Sequence, residues 1–169
     1  MPDDRQTLEQ EPLPGAEPGQ TVLQLERFLP YRLSVLANTV SRALARQYQE
    51  RFGLSVPQWR VMAVLGRFPD LSASEVAEKT AMDKVMVSRA VAGLLAEGRL
   101  ERRTAEHDRR RSRLRLSVAG RQVYAQIVPL ARAYEAQLLE ALGAGAFPAL
   151  DEAIERLTEA GRALNPEPR

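Results

Sequence analysis

Apolar side chains recur at Leu25, Phe28, Leu29, Leu33, Leu36, Val40, Leu44 and Tyr48, the three-and-four spacing of one helix face. Pro30 falls inside this run and predicts either a kink or a fresh helix start. Gly53 follows it and suits a helix C-cap, where a left-handed backbone is needed. Three shorter helices come next. Pro57 fits the first turn of one running through Trp59, Val61, Met62, Val64 and Leu65, which Pro69-Asp70 breaks. Ser72 stands three residues before Glu75, the spacing of a capping box, and opens a short helix with Val76 and Ala77 inward. After a break near Thr80 to Asp83, the residues Val87, Ala90, Val91, Leu94 and Leu95 form one stripe on a helix from Asp83 to Glu97, which Gly98 terminates.

The period then changes. Leu114, Leu116 and Val118 alternate with Arg113, Arg115 and Ser117, the pattern of a strand with one buried face. Leu100 to Arg103 is its expected partner. Thr104 to Ser112 lacks any tight-turn pair such as Asn-Gly, so a long, mobile connecting loop is expected there. A second long helix is predicted from Ala119 to Leu142, with Val123, Ile127, Leu130, Tyr134, Leu138 and Leu139 on one face and a kink at Pro129. Gly143 to Gly145 interrupts the chain, and a last helix from Phe147 to Leu164 turns Leu150, Ile154, Leu157 and Leu164 inward. No internal repeat is present.

Composition narrows the class. The chain has 169 residues, 44% hydrophobic and 27% charged, which suits one globular protein. No apolar run approaches the ~20 residues that span a bilayer, and no basic-then-apolar leader opens the chain, so no membrane partner and a cytoplasmic location are expected. The absence of cysteine excludes disulfides, thiolate metal sites and cysteine catalysis. Net charge is only +2, but Arg99 to Arg121 holds nine arginines against three acids. Such a concentration points to a polyanion. Residues 1–20 are acidic and proline-rich with few large apolar groups, and are expected to be disordered. The expected organisation is that tail, a dimerisation region over 21–56, a DNA-binding domain over 57–118, dimerisation helices over 119–164, and a frayed end over 165–169.

Helix, short helix, turn, amphipathic helix and a basic hairpin, in that order, predict a mainly α protein with a small β-hairpin wing. This is a winged helix-turn-helix domain flanked by long N- and C-terminal dimerisation helices. In such a fold the first helix of the pair braces the second, which enters the major groove of DNA. The cationic hairpin follows the backbone toward the minor groove. Opposite the buried stripe of the Asp83–Glu97 helix stand Lys84, Val85, Ser88, Arg89 and Ala92, and Met86 is counted with them in the expected DNA-binding set. Arg89 is placed to fork onto guanine O6 and N7. Ser72, Arg103, Arg109, Arg110, Arg111 and Arg113 complete the expected DNA-facing set. No cofactor and no metal are implied: Glu106-His107-Asp108 holds the only histidine, in a basic loop. Met62, Met82 and Met86 read as packing residues, Met86 being the one near the DNA face. Trp59 reads as core, with a ligand-stacking role as the weaker alternative.

Val87-Ser88-Arg89, Leu94, Gly98 to Arg102, Asp108-Arg109-Arg110 and Leu116-Ser117 together resemble the MarR family of bacterial transcription regulators. The family's wing carries Asp-x-Arg, five residues, then Leu-Thr. Here Asp108 and Arg110 precede Leu116 and Ser117, serine keeping the hydroxyl of threonine. The resemblance spans Leu25 to Leu164 and is densest from Leu71 to Gly120. It implies a homodimer held by terminal helices, a palindromic double-stranded operator, repression, and release by a small, often aromatic or phenolic ligand. It also implies that Arg110 enters the minor groove, that Asp108 orients the wing, and that Arg89 is the recognition-helix arginine.

Other classes fit less well. An enzyme would need a nucleophile elbow, phosphate loop, dinucleotide fingerprint or metal-helix motif, and the sequence has none. A helical protein-interaction module would account for the long helices but not for the arginine-rich strand. Single-stranded RNA binding would call for a stacking platform, and aromatics are 5%.

Overall fold

A computed structural model describes residues 22–105 and 108–164, with side chains throughout except at 104–105 and 108–111. The expected disorder of 1–20 and fraying of 165–169 lie outside the described residues. The chain divides into two units, one ending at Val40 and one beginning at Ser41.

The elements run α1 (Leu29–Phe52), α2 (Val56–Arg67), α3 (Ala73–Thr80), α4 (Lys84–Ala96), β1 (Leu100–Ala105), β2 (Asp108–Leu116), α5 (Val118–Leu142) and α6 (Phe147–Leu164). Pro30 starts α1 rather than kinking it, since proline's fixed φ and missing N–H suit a first turn. Gly53 adopts φ +65° behind it.

Short polar side chains set the next boundaries. The Ser55 hydroxyl accepts from the Gln58 N–H while the Gln58 side chain accepts from the Ser55 N–H, so a capping box opens α2 just ahead of Pro57. Ser72 and Glu75 do the same for α3. The α3 end uses Ala81 in the left-handed region (φ 51°), and Asp83 then caps α4 by accepting from the Met86 N–H at 2.7 Å. Three residues therefore turn the chain between brace and recognition helix.

The unit from Ser41 onward holds the buried core: Ala45 and Tyr48 of α1, Leu54, Val61, Met62 and Leu65, Val76 and Ala77, Met82, the α4 stripe Val87, Ala90, Val91 and Leu94, the strand residues Leu100, Leu114 and Leu116, and Ile127 of α5. Leu100 pairs with Leu116 in the antiparallel hairpin, and Arg102 with Leu114. Leu71, between α2 and α3, adds a bridge to Leu114.

The hairpin departs from expectation. Its strands reach Ala105 and resume at Asp108, so most of the expected Thr104–Ser112 loop is strand. A run of arginines hides the two-residue period there, and ladder hydrogen bonds do not require apolar alternation. Val118 does not continue the strand's buried face either. It begins α5 and is 64% exposed, because the Ser117 hydroxyl accepts from the Gly120 N–H and starts a helix. Pro129 sits inside α5.

Leu150, Ile154, Leu157 and Leu164 of α6 are exposed, not inward. The apolar stripe is present, and the described residues leave it exposed. In the unit ending at Val40, Leu25, Phe28, Leu29, Tyr31, Leu33, Val35 and Leu36 are likewise exposed.

Candidate nucleic-acid interface

The α4 helix separates its two faces as the pattern predicts. Val87, Ala90, Val91 and Leu94 are buried, while Lys84, Val85, Met86, Ser88, Arg89 and Ala92 are exposed. Met86 is therefore not a packing residue, unlike Met62 and Met82. One residue before buried Val87 is a step of about 100° around the helix, which takes Met86 off the stripe. The exposed residues cluster at the helix N-terminus, the end that recognition helices direct at base edges. Val85, 60% exposed, presents a large apolar group to solvent, which fits contact with a thymine methyl.

The hairpin adds positive charge. Arg102 and Arg103 are exposed on β1. Asp108, Arg109, Arg110 and Arg111 belong to β2, and their side chains lie outside the described residues, as do Glu106 and His107 entirely. At the base, Arg115 pairs with Glu101 across the strands.

Two expected DNA-facing residues have intramolecular partners. Ser72 is the half-buried cap of α3, its hydroxyl accepting from the Glu75 N–H at 3.2 Å. Arg113 donates from Nη1 to Glu75 Oε2 at 2.7 Å and to the Asp70 carbonyl at 3.2 Å. Glu75 Oε2 also accepts from the Ser72 N–H at 2.7 Å. The Ser72 hydrogen bonds, with Arg113 behind them, hold the Glu75 carboxyl down to about 2.

Trp59 is half-buried, 5.7 Å from Tyr48 and 6.0 Å from Tyr124 between ring centroids. Both neighbours are aromatic side chains of the same chain, which is the packing reading of Trp59. Burial pushes the Tyr48 phenol up to about 12, with Arg60 opposing.

Sequence reasoning missed three features. A cleft of about 360 Å3 lies between the starts of α2 and α4, lined by Ser55, Pro57, Gln58, Asp83, Val85, Met86, Arg89 and Ala90. A polar chain ties the start of α2 to the end of α4 and on to the end of α1: Gln58 Nε2 donates to Glu97 at 3.0 Å, Glu97 pairs with Arg99 at 3.2 Å, and Arg99 Nη2 donates to the Phe52 carbonyl at 2.5 Å. The Arg99–Glu97 contact through Nη1 is ionic without hydrogen-bond alignment. The third is the Arg113–Glu75 contact. Only the Ser55–Gln58 spacing left a local trace of any of these.

Among the described residues no helix is long and apolar enough to cross a membrane, and no cluster of three or more His, Cys, Asp or Glu is placed to hold a metal.

Residues 52–111 match the model of the MarR family. No curated protein matches the sequence. Among solved structures, a MarR family transcriptional regulator from Silicibacter pomeroyi DSS is 27% identical with TM-score 0.69, covering 92% of this chain and 99% of that one. A MarR/EmrR family regulator from Acinetobacter sp. ADP1 superposes with TM-score 0.77 at 24% identity, covering 83% and 99%. The PcaV transcriptional regulator from Streptomyces coelicolor, solved with its natural ligand, gives TM-score 0.70 at 22% identity, covering 84% and 99%. The helix order, the basic hairpin, the family match over residues 52–111 and these superpositions agree: the chain has a winged helix-turn-helix fold similar to that of MarR family transcriptional regulators.

Proposed function

We propose that the protein is a homodimeric, sequence-specific repressor that binds a palindromic double-stranded DNA operator. The observation that carries this is the exposed face of α4, where Lys84, Val85, Met86, Ser88 and Arg89 stand opposite a buried apolar stripe and beside a basic hairpin. Arg89 reads guanine in the major groove, Val85 meets a thymine methyl, and Lys84 and Ser88 hold phosphates. Arg110 enters the minor groove from the wing, where Asp108 orients it, and Arg103, Arg109 and Arg111 supply charge along the backbone. A cytoplasmic location goes with this reading.

The dimer is supported by uncovered apolar side chains, on α6 and separately in the segment before Val40. Exposed stripes of this kind mark interfaces, and two-fold symmetry is the common way to close them. A palindromic operator follows from such symmetry.

Control by a small aromatic or phenolic ligand rests on the family and on the ligand complex of PcaV. The cleft beside Arg89 gives it a location, because an aromatic anion there would compete with DNA for the same guanidinium. A ligand weakens binding only by favouring the DNA-free form. Benzoate-type carboxylates and phenols added to a gel shift test this arm.

The test of the whole reading is selection from a random duplex pool by the purified protein. A two-fold symmetric sequence should enrich. Recovery of no preferred sequence would leave the alternative, a helical interaction module.

A further inference from the structure

We infer that Arg113 is a positioning residue, which fastens the wing to the brace helix α3 through Glu75 and so sets the wing's reach, rather than a phosphate contact. The inference rests on the DNA-binding reading above.

Three observations converge on this. Arg113 Nη1 bridges two acceptors on the segment ahead of and within α3, Glu75 Oε2 at 2.7 Å and the Asp70 carbonyl at 3.2 Å. One residue further along β2, the Leu114 N–H donates to the Leu71 carbonyl at 2.7 Å and its carbonyl accepts from the Leu71 N–H. Side chain and backbone thus clamp the same two segments at adjacent positions. Finally, Arg113 lies directly opposite Arg103 in the hairpin. Like charges opposed across a ladder repel, and Glu75 supplies the counter-charge at that rung.

The acceptor side is prepared for this. Asp70 holds φ 60°, a left-handed conformation that aspartate tolerates, in the turn whose carbonyl meets Arg113. Glu75 is already committed to the capping box, so its carboxylate is held in place before Arg113 arrives. A guanidinium bound to a fixed carboxylate and a fixed carbonyl constrains an angle, not only a distance. Glu75 and Arg113 are both partly exposed, at 43% and 39%. Exposed ion pairs add little to folding stability, so the effect belongs to where the wing points.

Glu75→Gln separates the two roles of Glu75, because glutamine still completes a capping box but carries no charge. The duplex selected by the wild-type protein is titrated with Arg113→Ala, Glu75→Gln and the double variant at several salt concentrations, and each complex is footprinted with hydroxyl radical. The expected result is a loss of about threefold to fivefold in affinity for each single variant, no further loss in the double, and an unchanged salt slope. Protection should weaken at the flanking minor grooves while the half-site centres stay protected, with melting temperatures near wild type. A salt slope reduced by about one in Arg113→Ala, with Glu75→Gln silent, would make Arg113 a phosphate contact and overturn the inference. Wild-type affinity and footprint in all three variants would overturn it too. If the wild-type protein selects no duplex at all, the DNA-binding reading fails first and takes this inference with it.

Discussion

Gly120 lies against the carbonyl oxygen of Arg99 so closely that a Cβ built on it would stand 2.0 Å from that oxygen. The same carbonyl accepts from the Ser117 N–H at 3.0 Å, and the Ser117 hydroxyl donates to the Gly98 carbonyl at 2.6 Å. The first turn of α5 is therefore seated on the chain between recognition helix and wing. Gly120→Ala would force backbone against backbone, where nothing yields by rotating a side chain. It should destabilise the protein by about 1–3 kcal/mol or more, read as a lowered thermal midpoint. An unchanged midpoint would show that this junction is looser than the geometry requires.

Arg89→Ala and Arg110→Ala should fail differently. Removing the recognition-helix arginine should lower affinity for the selected duplex by about 1–3 kcal/mol and relax preference at one position per half-site. Removing the wing arginine should weaken selected and scrambled duplexes together, with a mild loss of preference for A·T-rich flanks. The measurement is a pair of titrations for each variant at one salt concentration. Equal losses on both duplexes for Arg89→Ala, with discrimination lost in Arg110→Ala, would reverse the assignment of reading element.

Acid should reveal Glu75. Its carboxyl is held at about 2 against an ordinary value of 4.5, so between those values the unfolded chain binds the extra proton. The stabilisation is complete above about pH 4.5 and is lost as the pH falls toward 2. Glu75→Gln should flatten that part of the stability profile and leave its slope through the neutral range unchanged. Parallel acid-melting curves for the two proteins would contradict the capping and ion-pair geometry.

Ile154 is 51% exposed in the middle of the α6 apolar stripe. Light scattering at micromolar concentration should give twice the chain mass for the wild type. Ile154→Asp should shift the mass toward the monomer while helical content is kept, since the residue lies outside the buried core of the described residues. A wild-type monomer would remove the dimer from the account.

Local signals make most of the fold legible in the sequence. Gly53, Pro57, Ser72, Asp83 and Gly98 each stop or start a helix through a backbone conformation or a cap that their own chemistry dictates. The α4 stripe was readable because one face is wholly apolar. The upper wing was not, because an arginine run carries no period, and strand formation there comes from ladder pairing. The Ser117 cap overrode the apparent alternation that ended at Val118. Arg113 was read as facing DNA because its partner, Glu75, lies far away in sequence and on another element. The exposed set on α4 was legible for the opposite reason: exposure follows from a helix's own spacing once its buried stripe is known.

The central claim is tested most directly by titrating the selected duplex and a scrambled duplex of equal length across about 50 to 200 mM salt. The account predicts that the selected duplex binds at least about 10³-fold tighter. It also predicts that affinity falls by roughly 10³–10⁵ over that range, as arginine–phosphate contacts release counterions. Equal affinity for the two duplexes, or a flat response to salt, would contradict it.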